Sequence, residues 1–233
     1  MIRSLLGTDL VIDQETKQAF NLDTILLANF IKIPYKSKLV LDVGTGVGAL
    51  MLYTSTKTKA KIIGVEIQAN RHQQAVRNIS LNGLDEQLSC FLGDVRDMSF
   101  QDVDVIISNP PFFKVSTTSN LNACDEQSIA RHEIKLTLKE LIAFAGKNLK
   151  NGGYFYMIHR PDRFLEIISL LGEHHLEIKR VRFVHPYLKK DPNHILILAI
   201  KKGHPGLKVD PPLILYHDKD VLTEDLKKIY GGI

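Results

Sequence analysis

The segment Leu39-Val40-Leu41-Asp42-Val43-Gly44-Thr45-Gly46-Val47-Gly48-Ala49 decides the fold. Its first five residues are apolar except Asp42, and a run this short reads as a buried strand. Glycines follow at 44, 46 and 48, and a helical pattern covers residues 47–57. Glycines between a strand and a helix let the backbone turn sharply and approach a ligand closely. Moving outward, apolar β-rich runs recur at 61–65, 87–92, 103–107, 154–158, 178–184 and 194–200. Helical patterns lie near 69–82, 128–150 and 161–172, so strands and helices alternate up to the sixth run. Only Pro186-Tyr187-Leu188-Lys189-Lys190-Asp191-Pro192-Asn193 separates the sixth run from the seventh.

The pattern predicts an α/β fold: a Rossmann-like, seven-stranded, mostly parallel sheet, helices on both faces, closed by an antiparallel hairpin. Residues 38–203 make the main domain. Residues 1–37 are expected as a cap over the cofactor site, with Asn21 or Asp23 opening a helix that carries Ile25, Leu26, Ala28, Asn29 and Phe30. Residues 204–233 are expected as a tail packed on the same domain, with a strand at 213–216 and a short helix opened by Thr223-Glu224-Asp225 and stopped at Gly231.

Composition bounds the function. The chain has 233 residues, 44% hydrophobic and 24% charged, which is globular rather than disordered or fibrous. No apolar run reaches the roughly 18–20 residues of a membrane helix. The start, MIRSLLGTDLVID, has no apolar core with a cleavage site, so a cytoplasmic protein without a membrane partner is expected. Cys90 and Cys124 form no CxxC pattern, which argues against a disulfide framework and a structural metal. A monomer is expected. Residues 131–208 hold 15 Lys and Arg against 7 Asp and Glu, so a modest net charge of +4 hides a basic half suited to a polyanion.

Around the glycine loop stand three carboxylates. Glu66 follows the second run, about twenty residues on, where a carboxylate accepts both hydroxyls of a ribose. Asp42 sits inside a strand, where burial is costly unless it orders the loop or meets a cationic ammonium group. Asp94, in Gly93-Asp94-Val95, is placed to accept from an adenine amino group beside the Val95 amide. Together they favour S-adenosylmethionine over NAD. Thr45 and Ile67 adjoin these positions as further cofactor contacts.

The fourth run ends in Asn109-Pro110-Pro111-Phe112. The prolines stiffen the turn and push Asn109 and Pro110 toward extended backbone. The Asn109 side-chain oxygen and the Pro110 carbonyl form two fixed acceptors for a planar amino group, and Phe112 offers a ring on which a base can stack. Lys179, Arg180, Arg182, Lys189 and Lys190 lie on or beside the expected hairpin as candidate phosphate contacts.

These motifs, in this order, resemble class I S-adenosylmethionine-dependent methyltransferases of the amino-group type. A narrower resemblance is to the bacterial tRNA(Val) adenine-37 N6-methyltransferase family. It rests on Phe20-Asn21-Leu22-Asp23-Thr24-Ile25-Leu26-Leu27-Ala28, on Asn109-Pro110-Pro111-Phe112-Phe113, on Ala130-Arg131-His132-Glu133, and on a tail with Gly206-Leu207-Lys208 and Pro211-Pro212-Leu213. The resemblance implies that Asp42, Gly44, Thr45, Gly46, Gly48, Glu66, Ile67, Asp94, Val95 and Asn109 hold the cofactor. It implies that Asn109, Pro110, Pro111 and Phe112 hold the base, and that Phe20–Asp23 close over the cofactor. Arg131 would meet RNA, and the partner would be tRNA, methylated at adenine 37. Neither His132 nor His159 is assigned to catalysis, because the methylated nitrogen sheds its own proton to water. A protein glutamine amide or a ribosomal guanine N2 would suit the same two acceptors. An NAD-dependent oxidoreductase has no task for Asn109, and a catalytically silent RNA-binding module has none for the glycine loop.

Overall fold

The computed structural model describes residues 2–14, 22–110, 136–219 and 221–231. The chain opens with a small hairpin, β1 (Ile2–Ser4) and β2 (Val11–Asp13), followed by helix α1 (Leu22–Phe30). The alternation then gives β3 (Leu39–Val43), α2 (Ala49–Ser55), β4 (Lys61–Glu66), α3 (Ala69–Leu81), β5 (Leu88–Leu92) and β6 (Val103–Ser108). It continues with α4 (Leu138–Asn148), β7 (Leu149–His159), α5 (Phe164–Glu173), β8 (Leu176–Tyr187) and β9 (His194–Lys201). The tail supplies β10 (Lys208–Val209), β11 (Leu213–Asp218), β12 (Val221–Leu222) and α6 (Glu224–Gly231).

Strands β5, β4, β3, β6 and β7 lie side by side in that order and run parallel. Strand β9 inserts antiparallel between β7 and β8, which is the expected hairpin. The sheet then continues past the seven expected strands. Strands β10 and β11 add in parallel to β8, and β12 folds back on β11. The side chains of alternate residues fill opposite faces. Val40, Val105, Ile107, Tyr156, Ile158, Leu196 and Leu198 pack under α1, α2, α3 and α6. Leu41, Val43, Ile106, Phe155, Met157, Ile195 and Ile197 pack under α4 and α5.

Two elements take their form from local contacts. Helix α4 begins at Leu138, where Thr137 and Glu140 form a reciprocal capping box that sets its first turn; residues 128–135 of the expected helical pattern lie outside the described residues. The β1–β2 hairpin is too short for periodicity to show. It is held by two asparagines one turn apart on α3. Asn78, wholly buried, accepts from the Asp13 amide at 2.6 Å and donates to the Asp13 and Val47 carbonyls. Asn82 accepts from the Val11 amide and donates to its carbonyl, both at 2.8 Å. Each amide imitates a missing neighbouring strand.

Helix α1 is fixed along its length. The buried ammonium of Lys57 donates to the Ala28 and Ile31 carbonyls at its C-terminal end, which carries no basic residue of its own. Burial draws the Lys57 ammonium down to about 8. The Tyr156 hydroxyl donates to the Lys32 carbonyl at 2.7 Å, and the Arg180 guanidinium lies 4.3 Å from the centre of the Phe30 ring.

Asn78→Ala removes one buried and two part-buried hydrogen bonds, at the Val47 carbonyl and the Asp13 backbone, so it should destabilise the protein by about 2–4 kcal/mol in urea titrations. Asn82→Ala, in a less buried position, should cost about 1–2 kcal/mol.

Candidate cofactor and substrate site

The site stands at the carboxyl ends of β3, β4 and β6, where a parallel sheet leaves a crevice. Gly44, Gly46 and Gly48 all have positive φ, at 74°, 60° and 86°, a conformation that favours glycine. The turn is bonded to itself, through the Gly48 amide and the Thr45 carbonyl at 3.0 Å, and also to the next strand. The amides of Gly44 and Thr45 donate to the Val65 carbonyl at 3.0 and 3.1 Å. Glu66 completes the join. Its Oε2 accepts from the Gly46 amide at 2.8 Å and its Oε1 from the Gln68 amide at 2.9 Å. Each oxygen keeps a second acceptor position, the pair that two ribose hydroxyls require.

Asp42 is 1% exposed and accepts from the Thr45 hydroxyl at 2.6 Å. Burial raises its carboxyl to about 7, with the Glu66 charge adding to the rise and the Thr45 bond opposing it. Gly64, across the β3–β4 pair from Asp42, was not singled out in the sequence. A Cβ there would come within 2.4 Å of Met51 Sδ and 2.8 Å of Thr45 Cγ2, so the loop sits on β4 only because position 64 has no side chain. The other unforeseen residue is Arg71 on α3. Its Nε is buried without a hydrogen-bond partner, and a guanidinium nitrogen lies 3.8 Å from where a Gly46 Cβ would stand.

Asp94 stands as the cap of a short 3-10 turn, Val95–Asp97, and accepts from the Arg96 amide and guanidinium. The Arg96 bonds hold its carboxyl below the usual range. Arg96 continues to Glu140 at 3.2 Å. Arg96 thus orients the carboxylate that the sequence places as an acceptor for an adenine amino group. Ile67 is part-exposed beside Glu66, and Val95 is buried.

At the end of β6, Ser108 donates to the Val43 carbonyl at 2.8 Å and locks this strand to β3. Asn109 follows, half-buried, with its Nδ2 bonded to Thr24 Oγ1 on α1 at 3.1 Å. Pro110 is half-buried beside it. Phe20, Asn21, Pro111, Phe112, Arg131 and His132 lie outside the described residues. His159 is buried and accepts from the Arg160 amide at 2.8 Å, and burial draws its imidazole below the usual range.

The expected basic face divides in two. Lys179 donates to the His204 carbonyl at 2.9 Å, Arg180 pairs with buried Asp210 at 2.5 Å, and Arg182 donates to the Pro211 carbonyl at 3.0 Å. These three, half-buried, fasten the tail to β8. Lys189 and Lys190 are exposed at the hairpin tip, on the same rim as Asn109.

The family comparison agrees with this geometry. The "Methyltransferase small domain" family profile matches residues 17–184. The chain belongs to the methyltransferase small-domain family. Its cofactor is S-adenosylmethionine, and the site fits it: a glycine cradle open at Gly44, a carboxylate with two spare acceptors at Glu66, and a buried carboxyl at Asp42 for a cationic ligand. A Porphyromonas gingivalis protein named tRNA1(Val) (adenine(37)-N6)-methyltransferase is 32% identical over 164 residues, 67% of this chain and 63% of that protein. The chain thus covers somewhat under two thirds of that relative. A Cytophaga hutchinsonii protein of the same name is 27% identical over 78% of this chain and 82% of its own length. Among solved structures, a predicted O-methyltransferase from Agrobacterium tumefaciens shares the fold with a TM-score of 0.70 at 20% identity, over 91% of this chain and 96% of that one. Geranyl diphosphate C-methyltransferase from Streptomyces coelicolor does so with 0.57 at 14%, over 76% and 79%. Among the described residues no helix is long and apolar enough to cross a membrane.

The raised Asp42 carboxyl makes a pH prediction for the protein without S-adenosylmethionine. Asp42 ionises near 3.8 in the unfolded chain and near 7 when folded, so between these values the folded state holds the extra proton. Its contribution to stability is full below about pH 4 and is lost as pH rises through about 7. Asp42→Asn should flatten this dependence and raise the melting temperature at about pH 8 by a few degrees, read by calorimetry.

Proposed function

We propose that the protein transfers a methyl group from S-adenosylmethionine to N6 of an adenine in tRNA, at position 37 beside the anticodon. The observation that carries the reading is the place of Asn109. It stands two residues past Ile107, the register partner of Asp42, so an amide acceptor adjoins the cofactor loop. The names of the relatives support the adenine and the tRNA.

When bound, S-adenosylmethionine supplies an electrophilic methyl on a sulfonium. Gly44, Gly46, Gly48 and Glu66 would hold it, with Asp42 toward its cationic end and Arg71 over the loop. Asn109 Oδ1 and the Pro110 carbonyl would each accept one N–H of the adenine amine, fixing its nitrogen and stabilising the positive charge that grows on it. Proton loss then needs no strong base, which suits the engagement of His159 with the backbone. The target base must leave its stack, and Phe112 would repay part of that cost. Lys189 and Lys190 would meet phosphates at the rim.

Mass-spectrometric nucleoside analysis of tRNA from cells with and without the gene should show N6-methyladenosine lost from one species, with ribosomal RNA guanines and protein glutamines unchanged. The reading falls if tRNA is unaltered and either of those changes. In vitro, Asn109→Ala should lower the single-turnover rate by roughly a hundredfold or more at saturating cofactor. Charge reversal of Lys189 and Lys190 should weaken tRNA binding while cofactor affinity stays constant.

A further inference from the structure

We propose that Thr24 is a positioning residue for methyl transfer: its hydroxyl takes the Asn109 amide hydrogen and so turns the Asn109 oxygen toward the substrate amine. This rests on the reading of Asn109 given above and adds a residue to it. An asparagine amide can be rotated by a half-turn with little change of shape, which would exchange acceptor for donor. An amine that must give two hydrogens is held only when the oxygen faces it. The fold therefore needs something to choose between the two orientations. Thr24 Oγ1, 3.1 Å from Asn109 Nδ2, is placed to do this, and among the described residues Asn109 has no other side-chain hydrogen bond.

The choice is rigid because Thr24 is. It is 8% exposed, in the first turn of α1. The preceding residue, Asp23, lies 3.1 Å from His194 Nε2 at the start of β9, so the same turn is tied to the sheet on the far side of β7. The other end of α1 is held by Lys57 at the Ala28 and Ile31 carbonyls. Helix α1 thus works as a fixed bar on the sheet face, with Asn109 registered against its first turn. A hydroxyl can also donate, and were Thr24 to donate to the Asn109 oxygen the acceptor would be occupied, so the two directions of this one bond have opposite consequences.

The test compares Thr24→Val, which keeps the shape and removes the acceptor, with Thr24→Ser, which keeps it; Thr24→Ala replaces valine should the latter disturb α1. The first readout needs no substrate. The side-chain amide resonances of Asn109 in nitrogen-15 spectra, assigned by their disappearance in Asn109→Ala, should shift in Thr24→Val and stay near wild type in Thr24→Ser. Unmoved resonances in Thr24→Val overturn the proposal. The second readout is single-turnover methylation of tRNA from cells lacking the gene. Thr24→Val should be slower by about tenfold with calorimetric affinity for S-adenosylmethionine unchanged, Thr24→Ser should recover the rate, and Thr24→Val should add nothing in an Asn109→Ala background. A Thr24→Val rate equal to or above wild type, with Asn109→Ala slow, defeats Thr24 alone. Asn109→Ala at the wild-type rate defeats the reading of the site itself. If the wild-type protein methylates no tRNA, the adenine assignment falls and the amide resonances still decide the role of Thr24.

Discussion

The hydrogen bonds from Gly46 and Gln68 to the buried carboxylate of Glu66 are the constraint on which the site depends. A loop of left-handed glycines has many accessible conformations, and ordering one of them costs entropy. Glu66 offsets that cost by tying the loop to the end of the neighbouring strand, while the Val65 carbonyl takes the two amides before it. Asp42 braces the same turn from inside through Thr45. The cofactor cradle is therefore built by the sheet and does not wait for a ligand to shape it.

Much of this was legible in the chain. Apolar runs of strand length, broken by glycines and separated by helical patterns, dictate a parallel sheet, and the missing helix before residue 194 dictates the hairpin. The glycine loop, Asp42, Glu66 and the Asn109 turn were readable because each combines an unusual residue type with a strand end. What was not readable depends on contacts between distant segments. The β1–β2 hairpin has no periodicity and exists because Asn78 and Asn82 supply its partners. The charge of residues 131–208 suggested a continuous basic face, yet Lys179, Arg180 and Arg182 are spent on the tail, since β8 is the strand to which β10 and β11 add. Sequence position cannot tell a guanidinium facing solvent from one paired with a carboxylate thirty residues away. Asp94 is similar: its turn-forming character was visible, but not that Arg96 would orient it.

The two halves of the site are supported differently. The cofactor side is built mainly by β3 and β4, whose mutual bonds span about twenty residues of chain, with Asn78 and Ser108 adding longer ties at Val47 and Val43. The substrate side depends on long-range assembly: Asn109 meets α1, α1 meets β9 and Lys57, and Arg180 joins α1 to the tail through Phe30 and Asp210.

Gly64 has a consequence for how the family can vary. Thr45, Met51 and Gly64 share a volume in which a single added carbon would overlap two side chains. They behave as one packing unit, so the effects of substituting them do not add. A larger residue at 64 is admissible only in company with a smaller one at 51 and at 45. Serine at 45 would remove the Cγ2 and keep the hydroxyl from which Asp42 accepts, so the exchange there is confined to residues that carry this donor. Change at these three positions is therefore coupled to the carboxyl of Asp42.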